Sequence, residues 1–301
     1  MPAADATAHR HQQLLRLPAS DGFIVNGLLL RCDAAEPRDA GDRPILLQIH
    51  GSLGHFLARG TPRLLPHALA ERGIDSLSIN TRLASAGQID GRGVFPDTAR
   101  DIDAAVAFLA EAGFRNVYVL GYSLGACMVA HWAAQCSHPA VKGLALEGCP
   151  YSIPDANRFR WKKYGSSPSY EEAYARAREV LGDDPYNSAA DEIFVAYRCK
   201  GPTRQPGDDE IFTYKTWWFL AGPEAYGTMT HRHIGKIALP MVIMRGDADP
   251  LVESWVPEAL GAIARDAGNG KVRVVTIPGA RHDCMENPEA MVGEIVRLVS
   301  A

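Results

Sequence analysis

The sequence predicts an α/β fold: a mostly parallel sheet flanked by helices, with a helical cap inserted late in the chain. Three observations lead there. Short, continuously apolar runs such as Pro44 to Ile49 and Val117 to Leu120 are what a strand buried on both faces requires. Helical patterns alternate with these runs, which calls for crossover connections between parallel strands. The alternation then stops between Cys149 and about Lys236, an interval holding 15 of the 24 aromatic residues.

The elements follow in order. Residues 1 to 12 read as a frayed lead-in. Gln13 to Leu17 and Phe23 to Arg31 form an antiparallel pair about a turn at Ser20-Asp21-Gly22. Ala34 to Arg43, with Pro, Gly and acids, is a loop, and Pro44 to Ile49 is the first buried strand. Thr61-Pro62 supplies an N-cap and a Pro at the first helical position, for a helix closing at Gly73. Ile74 to Ile79 is a strand. Asp97 opens a helix with Ile102, Ala105, Val106 and Leu109 on one face, ending at Gly113. Val117 to Tyr122 is a strand followed by a helix to about Gln135, and Val141 to Leu146 is a further strand.

Within the interval, Ser169-x-x-Glu172 is a capping box. Tyr170, Ala173, Tyr174, Ala177, Val180 and Leu181 trace a helical stripe after it. Asp191 to Cys199 and Glu210 to Leu220 are expected to be helical too. Met241 to Met244 (strand), Ser254 to Asp266 (helix), Lys271 to Ile277 (strand) and Pro288 to Val299 (helix) complete the chain. The resulting division is a core of residues 1–148 and 237–301 with a cap at 149–236.

Composition narrows the function classes. A net charge of -4 provides no basic footprint for nucleic acid. No apolar run approaches the roughly 20 residues of a membrane span, and the polar N-terminus shows no secretory signal. Six cysteines, at 32, 127, 136, 149, 199 and 284, form no C-x-x-C pair. They read as reduced thiols, which points to a cytoplasmic protein. The sequence is compatible with a homodimer.

The chemistry centres on Gly121-Tyr122-Ser123-Leu124-Gly125, where an apolar strand runs directly into a small-residue helix. A strand that turns sharply into a helix exposes the Ser hydroxyl at its apex, over the helix N-terminus. Such a Ser needs a base, and the base needs a partner to hold its tautomer. His282, in the loop after the last strand, is the best placed of ten histidines. Candidate acids are Asp249 and Asp247 in Arg245-Gly246-Asp247-Ala248-Asp249-Pro250, and Glu147 after an earlier strand. Oxyanion donors are expected from the Leu124 amide and, after His50-Gly51, from Ser52 with Leu53 next. For the substrate pocket the expected walls are Trp217, Trp218, Phe219 and Tyr226 of the cap, with Tyr122 and Leu53 below. Arg158, Arg160, Lys162 and Lys163 read as a solvated charged face rather than an anion site.

These pieces resemble the α/β-hydrolase superfamily with an inserted cap: His50-Gly51-Ser52-Leu53-Gly54, Gly121 to Gly125, Gly246-Asp247-Ala248-Asp249 and Gly279-Ala280-Arg281-His282. The resemblance spans the sheet domain from about Pro44 onward. It implies Asp249 as the acid, with Asp247 bracing the turn, and a Ser123–His282–Asp249 triad that needs no metal or organic cofactor. Asn80-Thr81-Arg82 departs from the Asp-x-Arg of many relatives, at a position outside the triad. The implied activity is hydrolysis of a carboxylic ester of a small or medium, partly apolar molecule through an acyl-enzyme. Superfamily members also cleave thioesters, amides and C–C bonds, act as lyases or acyltransferases, or serve as receptors without catalysis.

Overall fold

The computed structural model describes residues 11–32, 40–85, 93–197 and 209–300. Most of the lead-in, residues 34–39 of the expected loop, and Arg198 and Cys199 lie outside them.

Strands β1 (His11–Pro18) and β2 (Ile24–Arg31) form the expected antiparallel pair, with Leu17 opposite Val25. Next come β3 (Pro44–Ile49), α1 (Thr61–Ala70), β4 (Asp75–Asn80), α2 (Thr98–Glu111), β5 (Asn116–Tyr122), α3 (Leu124–Ala133) and β6 (Val141–Glu147). The inserted segment holds α4 (Ile153–Tyr164), α5 (Tyr170–Leu181), β7 (Ile193–Ala196), β8 (Glu210–Thr213) and α6 (Tyr214–Leu220). The chain then returns through β9 (Met241–Gly246), α7 (Val256–Asp266), β10 (Val272–Ile277) and α8 (Pro288–Val299).

The main sheet runs β1-β2-β4-β3-β5-β6-β9-β10, and only β2 opposes the direction of the others. Helices cover both faces. Leu65 and Leu69 of α1 pack with Met291, Val292 and Ile295 of α8 on one face; α2, α3 and α7 pack on the other. Side chains such as Leu47 and Leu77 are wholly buried, each contributing roughly 1.5–3 kcal/mol. The parallel arrangement brings the ends of β3, β5, β6, β9 and β10 to one edge, where their loops meet.

Three sequence expectations need correction. The first concerns α1, whose N-cap is Gly60 at φ 85°, while Thr61 lies inside the first turn with its hydroxyl committed elsewhere. Second, α7 begins at Val256, two residues later than expected. Third, the inserted segment is not purely helical. Ile193–Ala196 and Glu210–Thr213 pair as an antiparallel ribbon, with Phe194 opposite Phe212. Their burial alternates, Phe194 and Ala196 inward and Ile193 outward, which is a period of two and not the helical 3.6. The capping box does form: the Ser169 hydroxyl accepts from the Glu172 amide at 3.2 Å, and the Glu172 carboxylate accepts from the Ser169 amide at 2.8 Å.

Candidate active site

Ser123 sits between β5 and α3 at φ 54°, ψ -117°, a strained conformation for a residue with a Cβ. The strain persists because the surroundings leave no alternative. A Cβ at Gly121 would collide with the Gly125 backbone, and one at Gly125 with the carbonyls of Ile49 and His50. The Ser123 amide is taken by the Glu147 carbonyl at 2.8 Å, tying the turn to the end of β6.

The side chains of three loops meet here. Ser123 Oγ lies 2.9 Å from His282 Nε2, and His282 Nδ1 lies 2.8 Å from Asp249 Oδ2. With Asp249 as acceptor the imidazole carries its proton on Nδ1, leaving Nε2 to accept from the Ser123 hydroxyl. The other Asp249 oxygen accepts the amides of Leu251 (2.7 Å) and Val252 (3.2 Å). Burial opposes charge on Asp249, but the bonds from His282 and these two amides outweigh it and hold the carboxyl below its usual range. Asp247 is exposed, so the structure brings Asp249 to the histidine and leaves Asp247 outside. Arg245, which sequence reasoning passed over, braces the acid loop by donating to the carbonyls of Val252, Asp249 and Asp247. A buried Arg one residue before a Gly-Asp turn was the available signal.

The loop after β3 is fixed by His50. Its Nε2 accepts from the Thr81 amide at 3.2 Å, so Nδ1 carries the proton and donates to the Gly51 carbonyl at 2.7 Å. Burial lowers the His50 pKa to about 4, which keeps this tautomer neutral. The Gly54 amide donates to the same carbonyl at 3.1 Å. Because the peptide is planar and trans, fixing the Gly51 carbonyl aims the Ser52 N–H the opposite way. A Cβ on Gly51 would touch both the Tyr122 ring and Ser123 Cβ, so this loop packs directly against the serine turn. Leu124 opens α3, and its amide is among those that a helix start leaves without an intrahelical partner. Tyr122 packs against the His282 ring at 5.4 Å, and Leu53 is exposed at φ 51°.

The cap residues expected to wall the pocket divide. Trp217 is 0 % exposed, enclosed by Trp161, Tyr170 and Phe194, and so faces no water-accessible space. Trp218 stacks on Tyr174, and Phe219 meets Tyr186 edge-on. All three pack within the cap. Tyr226 is exposed with Arg232 over its ring. Instead, Trp255 and Tyr151, packed together at 5.1 Å, follow the acid loop and β6 respectively; Tyr151 also stacks on His231. Trp255 is 54 % exposed, an aromatic surface that composition alone did not single out. Arg158 is paired with Glu171 and Arg160 with its own helix, consistent with a solvated charged face.

Among the described residues no cluster of three or more His, Cys, Asp or Glu has the arrangement of a metal site, and no helix is long and apolar enough to cross a membrane.

Residues 46–294 match the model of a family described as "Alpha/beta hydrolase family". The comparison with curated proteins found no match. Among solved structures, the esterase Pf2001 of Pyrococcus furiosus is similar with a TM-score of 0.64 at 14% identity, over 96% of this chain and 90% of that one. Est1E from Butyrivibrio proteoclasticus gives 0.61 at 16%, over 96% and 99%. A puromycin-hydrolyzing peptidase of Mycobacterium tuberculosis gives 0.61 at 15%, over 96% of this chain and 40% of that one. At such identities the likeness is one of fold.

Proposed function

The chain belongs to the alpha/beta hydrolase family, and we propose that it is a serine hydrolase cleaving a carboxylic ester of a small or medium, partly apolar molecule. The observation that carries this reading is the unbroken Ser123–His282–Asp249 chain, with links of 2.9 and 2.8 Å. Ser123 Oγ attacks the carbonyl carbon while His282 Nε2 takes its proton. Asp249 keeps the imidazole in the required tautomer and stabilises the imidazolium. The amides of Ser52 and Leu124 receive the developing oxyanion; one such donor is worth about 10²–10³ in kcat. His282 then returns the proton to the leaving alcohol, and water attacks the acyl-enzyme by the same route in reverse. No step draws on a metal or organic cofactor.

The cap, residues 149–236, is the lid of this site. Tyr122 lies against the His282 ring, Leu53 is exposed in the loop after β3, and Tyr151 and Trp255 pack together beyond β6 and the acid loop. An apolar and aromatic wall from these loops would favour an ester with an apolar or flat acyl group. Esterases among the structural neighbours support the choice of bond.

A panel of p-nitrophenyl esters and matched thioesters, assayed with wild type and Ser123→Ala, tests the reading. Turnover of esters by wild type alone is expected. Equal turnover by both proteins, or thioester cleavage far above ester cleavage, would overturn it.

A further inference from the structure

Glu147 is a buried acid at this edge that the mechanism leaves unused. It ends β6 and is wholly buried, and its carboxyl meets the thiol of Cys284 as well as Thr61. Its Oε1 lies 2.9 Å from the Thr61 hydroxyl, and that hydroxyl lies 3.0 Å from the carbonyl of Asp283, the residue after His282. Thr61 is itself fully buried. Its oxygen thus faces two oxygens, yet it has only one proton to give. An ionised Glu147 would compete with the Asp283 carbonyl for that proton and leave one acceptor unsatisfied. A protonated Glu147 resolves the conflict, because its O–H then donates to Thr61 and Thr61 donates onward.

We propose that Glu147 is a positioning residue whose neutral carboxyl heads a relay, Glu147 O–H to Thr61 Oγ and Thr61 O–H to the Asp283 carbonyl, that holds the His282 loop against Ser123. The inference rests on the serine-hydrolase reading above. Glu147 is also tied to the serine turn, since its own backbone carbonyl accepts the Ser123 amide. The next residue, Gly148, stands so close to the His282 ring that a Cβ there would meet Cε1 at 2.9 Å.

The surroundings favour the neutral form. Burial pushes the Glu147 carboxyl up to about 8, against the bonds from Thr61 and the Cys284 thiol and with help from the carboxylates of Asp283 and Asp249. The remaining titratable neighbours are the Cys284 thiol and the Tyr122 hydroxyl, both raised by burial first and then by the acids around them, Glu147 foremost with Asp283 and Asp249. Above about pH 8 the ionised carboxylate draws the Thr61 proton to itself and the Asp283 carbonyl loses its donor.

The test is the pH profile of kcat/KM on p-nitrophenyl acetate for wild type, Glu147→Gln, Glu147→Ala, Thr61→Ser and Thr61→Val, with the infrared carboxylic-acid band recorded alongside. Wild type is expected to lose activity on an alkaline limb near pH 8. Glu147→Gln, which donates without ionising, should keep neutral-pH activity within about threefold and lack that limb. Glu147→Ala and Thr61→Val should lose kcat on the order of 10- to 100-fold with KM little changed, and Thr61→Ser should restore it. A protonated-carboxyl band at pH 7 should vanish in Glu147→Gln. Glu147→Gln as impaired as Glu147→Ala at every pH would mean that the charge is what matters, and would overturn the relay. So would full activity in Thr61→Val, or the absence of the band. Should Glu147→Ala fail to fold, the Gln and Thr61 variants carry the same comparison. If wild type hydrolyses no ester, the serine-hydrolase reading fails, whereas the infrared band still decides whether Glu147 is protonated.

Discussion

At the edge of the sheet, Ser123, Asp249 and His282 come from three separate loops, and backbone groups shape the serine and acid turns. Gly121 and Gly125 shape the serine turn, and the Leu251 and Val252 amides with Arg245 shape the acid loop. In the cap, Trp217 is placed by rings from three other elements: Trp161 on α4, Tyr170 on α5 and Phe194 on β7. The edge is therefore held mainly by backbone geometry and hydrogen bonds, and the surroundings of Trp217 by the packing of rings. A substitution at the edge should alter chemistry with little effect on stability, and one in the cap core should do the reverse.

The largest expected effect is at the edge. Ser123→Ala should lower kcat on the order of a million-fold, and Asp249→Asn about 10⁴-fold by favouring the wrong imidazole tautomer, while Asp247→Asn stays within about twofold. Steady-state ester kinetics on the three proteins would blur the comparison if Asp247→Asn fell as far as Asp249→Asn. His50→Ala removes one of the two donors to the Gly51 carbonyl and should lower kcat, by at most the roughly 10²–10³ that loss of one oxyanion donor costs; an unchanged kcat would show that the Gly54 amide holds the loop by itself.

In the cap, Trp217→Ala should destabilise the fold by about 3–5 kcal/mol, read by denaturant unfolding, with kcat per folded molecule nearly unchanged. Trp255→Ala should instead shift KM and the preference among acyl groups while stability barely moves, since Trp255 is 54 % exposed. An unaltered ester preference would remove Trp255 from the pocket wall.

A further effect is on the pH dependence of stability. Glu147 has its pKa raised from 4.5 to about 8 in the folded protein, so folding takes up a proton between those values. Its contribution is fully present below about pH 4.5 and is lost as pH rises through about 8. The melting temperature of Glu147→Gln, compared with that of wild type, should gain steadily across this window and level off above it. A difference independent of pH would mean that Glu147 is ionised in the native state.

The same contrast explains what was legible in the sequence. The sheet was readable because strands buried on both faces are written as apolar runs. The serine turn was readable because backbone approach at Gly121 and Gly125 excludes any side chain. The choice of Asp249 over Asp247 needed family resemblance, since two acids in one turn differ only in which one the loop turns inward. The ribbon of Ile193–Ala196 with Glu210–Thr213 was misread because each strand's pairing partner is distant in sequence, and a four-residue strand is too short for its period to register. Trp217 and Trp218 were placed in the pocket because composition reveals aromatic content but not which way a ring faces. The Glu147–Thr61–Asp283 relay was invisible, as Thr61 and Asp283 are 222 residues apart in the chain.

The central claim, that this edge is an acyl-transfer site built on Ser123, is tested most directly by a fluorophosphonate probe with mass-spectrometric mapping of the adduct. The account predicts one stoichiometric adduct on Ser123, strongly slowed in His282→Ala and absent in Ser123→Ala. An adduct on another residue, or none on a protein that is folded, would contradict it.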